Sequence, residues 1–206
     1  MIGIRQYLAI MGGLALLFVL LNGLRVGNGV AVEGVGAAPV QTLTTRYDGY
    51  FRKFTRTYFG RTSWKWFKAQ AIQESRLEPR AQSRVGAMGL MQIMPATFQE
   101  IRREIGLPDD PWDPRTNIKA GIYYDLKCYE IWAERRSERD KILLMFAAYN
   151  AGSGNILRAQ RVVRDRMICS GQTWDCIRQG LPTVTGRHSE ETIRYVDRIQ
   201  EFRDSL

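Results

Sequence analysis

The sequence predicts a mainly α-helical domain of about 160 residues behind an apolar amino-terminal segment. Three observations support this. Apolar residues recur at helical spacing through most of residues 46–206, and no stretch alternates long enough to demand a strand. Breaks rich in Pro, Gly and Asp, such as Gly106-Leu107-Pro108-Asp109-Asp110-Pro111, cut that portion into helix-sized pieces. Gln6 to Leu24 forms a run of 19 uncharged residues between Arg5 and Arg25.

That run is apolar on every face, unlike the helix of an ordinary soluble domain. Its length suits a bilayer span or a secretory signal. Residues 1–25 are read as a transmembrane anchor. The small residues of Gly29-Val30-Ala31 keep a cleaved signal open as the alternative. Residues 26–45, rich in Gly, Val and Ala, read as a flexible linker. Residues 46–206 then form one domain with helices expected at Tyr47–Tyr58, Ser63–Leu77, Leu90–Ile105, Pro114–Arg136, Arg139–Tyr149, Gly152–Arg166, Thr173–Gln179 and Ser189–Arg203.

The residue inventory excludes several chemistries. With His188 as the sole histidine, no metal-ligand cluster and no hydrolytic triad emerge. There is no phosphate-binding glycine loop and no dinucleotide motif. Cys169 and Cys176 are close enough in sequence for a small disulfide loop in an exported domain, while Cys128 reads as a buried small hydrophobe.

One carboxylate stands out. Trp64, Phe67, Ala71 and Ile72 define an apolar helix side, and Glu74 falls beside Phe67 on its margin. Pro79 forces the helix to end near Leu77, so Glu74 occupies the last turn. Burial against aromatics and the negative end of the helix dipole both raise a carboxyl pKa. A carboxyl that keeps its proton near neutral pH suits general-acid chemistry. The bland alternative is a solvated helix glutamate. The uncharged run Val85-Gly86-Ala87-Met88-Gly89-Leu90-Met91-Gln92-Ile93-Met94 follows. Its bland reading is a buried helix entered through a Gly turn. Yet Gln92 inside it needs partners, and a sugar hydroxyl or acetamide is one candidate.

The stretch from Gln73 to Thr97, with Ala147-Ala148-Tyr149-Asn150-Ala151-Gly152 and Glu191-Thr192-Ile193-Arg194-Tyr195-Val196, resembles the signature of the soluble-lytic-transglycosylase (SLT) family. The resemblance covers roughly residues 47–206 and implies a lysozyme-like helical fold. It implies that Glu74 is a single catalytic acid/base. It also implies that Ser83, Gln92, Met94, Tyr149, Asn150 and Tyr195 contact the substrate, with Ser83 touching the acid as well and Tyr195 aimed at it. The implied substrate is the peptidoglycan glycan strand. The implied reaction cleaves the MurNAc–GlcNAc β-1,4 bond with a 1,6-anhydro product and no cofactor. Asp109, Asp110, Asp113 and Glu191 carry no motif that marks a second catalytic carboxylate.

A net charge of +9 suits the carboxylates of peptidoglycan stem peptides and anionic membrane surfaces. Arg158, Arg161, Arg164 and Arg166 cluster on one expected helix, read as a solvated face. No nucleic-acid module is recognisable. Two other classes stay open: a hydrolytic muramidase on the same fold, and a wall-binding accessory of a secretion, conjugation or phage machine. The expected location is the bacterial cell envelope, anchored in the inner membrane with the domain in the periplasm, or secreted there after signal cleavage.

Overall fold

The computed structural model describes residues 44–132 and 135–206. The anchor expected at 1–25 lies outside the described residues, as does nearly all of the linker expected at 26–45. Among the described residues, no helix is long and apolar enough to cross a membrane.

The element order is α1 (Asp48–Phe59), α2 (Lys65–Ser75), α3 (Pro95–Ile105), α4 (Pro114–Glu130), α5 (Glu138–Ala151), α6 (Ser153–Asp165), α7 (Trp174–Ile177), α8 (Leu181–Thr185) and α9 (Ser189–Ser205). Short 3₁₀ turns at Arg178–Gly180 and Gly186–His188 flank α8. Local chemistry sets the boundaries. Asp113 caps α4 by accepting from Thr116 N at 2.8 Å, and Pro114 follows at its first helical position. Ser137 caps α5 by accepting from Asp140 N. Gly106, in left-handed geometry, ends α3.

Two helices form the centre. Trp66–Ile72 of α2 and Ile142–Ala148 of α5 are buried throughout, because other helices surround them rather than covering one face. α2 packs chiefly on α9, and α5 packs on α4, α6 and α9. The core is continuous through Phe51, Phe67, Phe98, Phe146 and Trp174, each with essentially no exposed surface. Gly180 lets the α7–α8 corner meet α6: a Cβ there would stand 2.4 Å from the Ala159 carbonyl oxygen.

The expected helix Leu90–Ile105 is corrected. The helix begins only at Pro95, and Ala81–Met94 forms a tight loop with isolated bridges pairing Met88 to Gln82 and to Ile93. Gly89 (φ 73°) and Gln92 (φ 46°) adopt left-handed backbone that no right-handed helix accommodates. α2 ends at Ser75, two residues before the expected Leu77, with Arg76 and Leu77 both at positive φ. α4 ends at Glu130 rather than Arg136. The arginines at 158, 161, 164 and 166 lie on the outer side of α6 and just past its end, apart from its buried Ile156, Ala159 and Val163. Cys169 and Cys176 form a disulfide, and Cys128 is a buried free thiol.

Candidate active site

The site gathers where the end of α2 meets the end of α5 and the middle of α9. Glu74, in the last turn of α2, is 7% exposed. Tyr195 of α9 donates its hydroxyl to Glu74 Oε1 at 2.6 Å, across 121 residues of sequence. Burial drives the Glu74 pKa up to about 8, against the lowering effect of the Tyr195 hydrogen bond. The acid is therefore mostly protonated at neutral pH, yet its conjugate base has a donor waiting.

Tyr149, at the end of α5, donates to the Met91 carbonyl at 2.7 Å. Burial raises its pKa, and a charge on Glu74 raises it further, so the two side chains share one interior. Asn150 Oδ1 accepts from Thr192 Oγ1 at 2.9 Å, which joins α5 to α9 one turn before Tyr195. Burial and the charge of Glu74 also raise the pKa of Tyr195.

The loop between α2 and α3 holds the other expected contacts, in a supporting role. Ser75 Oγ donates to the Leu90 carbonyl at 2.8 Å, fastening the loop to the residue after Glu74. Ser83 accepts from Ala87 N at 2.9 Å and closes a turn. Among the described residues, no hydrogen bond joins Ser83 to Glu74. Gln92 is buried and spends both amide hydrogens inside the loop, on the carbonyls of Ala81 and Gly89, each at 2.9 Å. Its partners are thus backbone groups, where the sequence left a sugar as one candidate. Met94 is half-buried at the entry to α3.

Three residues that support this region carried no motif. Asn117 of α4 accepts from Met91 N at 2.8 Å and donates to the carbonyls of Met88 (3.0 Å) and Pro111 (2.8 Å). Gly121 lets the Met91 side chain lie against α4, since a Cβ there would stand 2.6 Å from Met91 Cβ. Asp125 of α4 is wholly buried and accepts from Gln70 Nε2 at 3.1 Å. Its signal was a charged residue on the inward stripe of α4, shared with Ile118 and Ile122. Another surface hollow, lined by Thr62, Trp66, Glu138 and Arg203, lies at the opposite end of α5 and includes none of these residues.

The helical fold buries one protonatable glutamate against a tyrosine, and comparison with known proteins shows the family to which such a domain belongs. The family model described as the transglycosylase SLT domain matches residues 53–168, more than half of the chain. The chain belongs to that family. It is 30% identical over 154 residues to membrane-bound lytic murein transglycosylase F of Desulfosudis oleivorans, covering 69% of this chain and 33% of that protein. The Maricaulis maris protein of the same name is also 30% identical, over 69% of this chain and 32% of its own length. The chain thus spans about a third of the length of these relatives. Among solved structures, the 70-kDa soluble lytic transglycosylase of Escherichia coli is 28% identical with a TM-score of 0.57, over 78% of this chain and 24% of its own. An inactive Glu-to-Gln mutant of the Pseudomonas aeruginosa lytic transglycosylase Slt is 25% identical with a TM-score of 0.62, with the same coverage.

Proposed function

We propose that this protein is a peptidoglycan lytic transglycosylase in which Glu74 acts alone as acid and base. The observation that carries this reading is the buried, proton-holding Glu74 under the Tyr195 hydroxyl. Two-carboxylate glycosidases set a second carboxyl several ångströms across the scissile bond. Asp125, the other carboxyl of this interior, has no exposed surface, and in this reading the sugar supplies the second reactive group.

Glu74 protonates the leaving glycosidic oxygen while the substrate N-acetyl group assists at the anomeric carbon. The resulting carboxylate is held by Tyr195 and then takes the proton of the MurNAc C6 hydroxyl, which closes the 1,6-anhydro ring. The acid is regenerated and no water is consumed. Tyr149, Asn150, Ser83 and Met94 line the approach, and Gln92 shapes the loop beneath it. The Glu-to-Gln inactive relative and the murein named for the homologues support this assignment.

The same reading places the protein in the cell envelope. Residues 1–25 serve as its membrane anchor, residues 26–45 as a tether, and 46–206 as a domain facing the periplasm. A relative described as membrane-bound supports that placement.

The test is digestion of peptidoglycan sacculi by the purified protein, with mass spectrometry of the muropeptides. Anhydro products, lighter by one water than hydrolysis products, are expected from the start. Reducing ends alone would overturn the lyase reading in favour of a muramidase.

A further inference from the structure

We propose that Asp125 is a neutral acid that closes a two-bond ring with Gln70 and so positions the turn of α2 that carries Glu74. The inference rests on the catalytic reading of Glu74 for its functional half only.

Asp125 has no exposed surface, and neither has Gln70. One hydrogen bond joins them, from Gln70 Nε2 to Asp125 Oδ1 at 3.1 Å. The remaining oxygen of each partner, Asp125 Oδ2 and Gln70 Oε1, is also buried and, among the described residues, has no hydrogen-bond partner. Two such orphans on the two members of one pair are uncommon, because buried acceptors are nearly always satisfied. As a carboxylate and an amide, neither oxygen can satisfy the other, since both only accept. One proton on Asp125 Oδ2 resolves both: it becomes a donor, and Gln70 Oε1 is the free acceptor on the same partner. Among the described residues, no Lys or Arg pairs with Asp125 to hold a negative charge there. An isolated buried carboxylate gives up its charge rather than remain unpaired.

The electrostatics agree. Burial pushes the Asp125 pKa well above the carboxylate range, the Gln70 bond opposes this, and the charge of Glu74 raises it again. The other titratable groups sharing this interior are Tyr124 and Cys128 on α4, Tyr149 on α5 and Tyr195 on α9. Each of them is neutral in its protonated form, so none supplies a counter-charge to an ionised Asp125.

The consequence concerns Glu74. Gln70 lies four residues before Glu74, on the same side of α2. The ring therefore ties α4 to the helix turn beneath the acid. Being uncharged, it also leaves the Glu74 proton free to go: an ionised Asp125 would hold that proton more tightly and weaken the acid.

The test uses the full chain with Asp125→Asn and Asp125→Leu. An asparagine rebuilds the ring as an amide pair, donating to Gln70 Oε1 and accepting from Gln70 Nε2. Asp125→Asn should keep Tm, kcat and the alkaline limb of the pH–rate profile. Asp125→Leu leaves Gln70 unsatisfied and should lower Tm by roughly 3–8 °C. Assayed well below its own Tm, it should lower kcat more than KM, because the acid moves rather than the groove. Infrared difference spectra in a Glu74→Gln background should lose the band of a protonated carboxylic acid when Asp125 becomes Asn. Absence of that loss, or an alkaline limb moved to lower pH in Asp125→Asn, means that Asp125 is ionised and overturns the proposal. An unchanged kcat in Asp125→Leu overturns the positioning role. The infrared and Tm measurements need no substrate. A wild-type protein unable to cleave glycans would therefore refute the lytic reading, while the infrared band would still decide whether Asp125 carries its proton.

Discussion

In the proposed reaction Glu74 holds a proton at neutral pH and releases it on demand, and its surroundings split that task. Burial raises its pKa to about 8, while the Tyr195 hydroxyl at 2.6 Å stabilises the charged form. Glu74→Gln keeps the shape and removes the proton, so it should cost at least about 100-fold in kcat with folding intact. Tyr195→Phe should cost about 10- to 100-fold in kcat with little change in KM, the range for a hydrogen bond to a charged group. It should also move the alkaline limb of the rate profile upward from about pH 8, because it removes the one interaction that lowers the acid's pKa. An unmoved limb would detach that titration from Glu74. Stability carries the same signature. The Glu74 pKa rises from an ordinary 4.5 to about 8 on folding, so the fold favours the protonated form. Its contribution is complete below pH 4.5 and drains away as pH rises to 8. Denaturant titrations at pH 5 and pH 8 should show wild type losing more stability across that window than Glu74→Gln.

At the scale of elements, the loop Ala81–Met94 is the part that the sequence concealed. Its run of Leu90, Met91, Ile93 and Met94 carries a helical pattern, yet those residues pack from a loop. What overrides the pattern is tertiary: the Met91 peptide is gripped from both sides, its N–H by Asn117 of α4 and its carbonyl by Tyr149 of α5. Gly89 was visible as a break, but a left-handed Gln92 was not, because glutamine seldom adopts positive φ. That Tyr195 should approach Glu74 was legible through the family resemblance, and the hydrogen bond between them agrees with it. Asn117, Gly121 and Asp125 act through packing against distant segments, which no local pattern records. Asn117→Ala strips two hydrogen bonds from buried backbone groups and one from the part-buried Pro111 carbonyl, and should cost about 2–5 kcal/mol in chemical denaturation. Gly89→Ala should do comparable damage from the other side. Its Cβ would stand 2.5 Å from Asn117 Nδ2, at a φ of 73° that alanine resists. In both variants kcat should fall further than glycan binding, because the loop end at Leu90 is tied to Ser75 beside the acid. A loop that loosened without changing kcat would show that the loop does not set the geometry of Glu74.

The whole molecule joins one helical core to a carboxy-terminal corner that needs a different kind of support. Between α6 and α7 the chain runs through a short irregular segment, with Met167 at a φ of 54° and 90% exposed. Few apolar side chains there reach the core before Trp174. The Cys169–Cys176 disulfide closes that segment across a sequence separation of 7, with Gly171 N donating to Cys176 Sγ at 3.0 Å. Trp174 then anchors it, fully buried, with its backbone N–H donating to Asp140 at the start of α5. A structural disulfide persists in an oxidising compartment, in keeping with a domain proposed to work outside the cytoplasm. In the chain-entropy account, a loop this short gains about 2.5 kcal/mol from the cross-link. Cys169→Ser/Cys176→Ser should therefore lower the unfolding free energy by about that amount, and dithiothreitol should do the same to wild type while leaving the double variant unaffected. Among the described residues, no hydrogen bond joins either cysteine to Glu74, Tyr195 or the Ala81–Met94 loop, so kcat at 25 °C should stay within about twofold of wild type, as for a substitution remote from the reacting groups. A reduced enzyme that kept its stability would assign the corner's integrity to Trp174 alone, and one that lost turnover while still folded would mean that α9, and Tyr195 with it, depends on the cross-linked corner for its position.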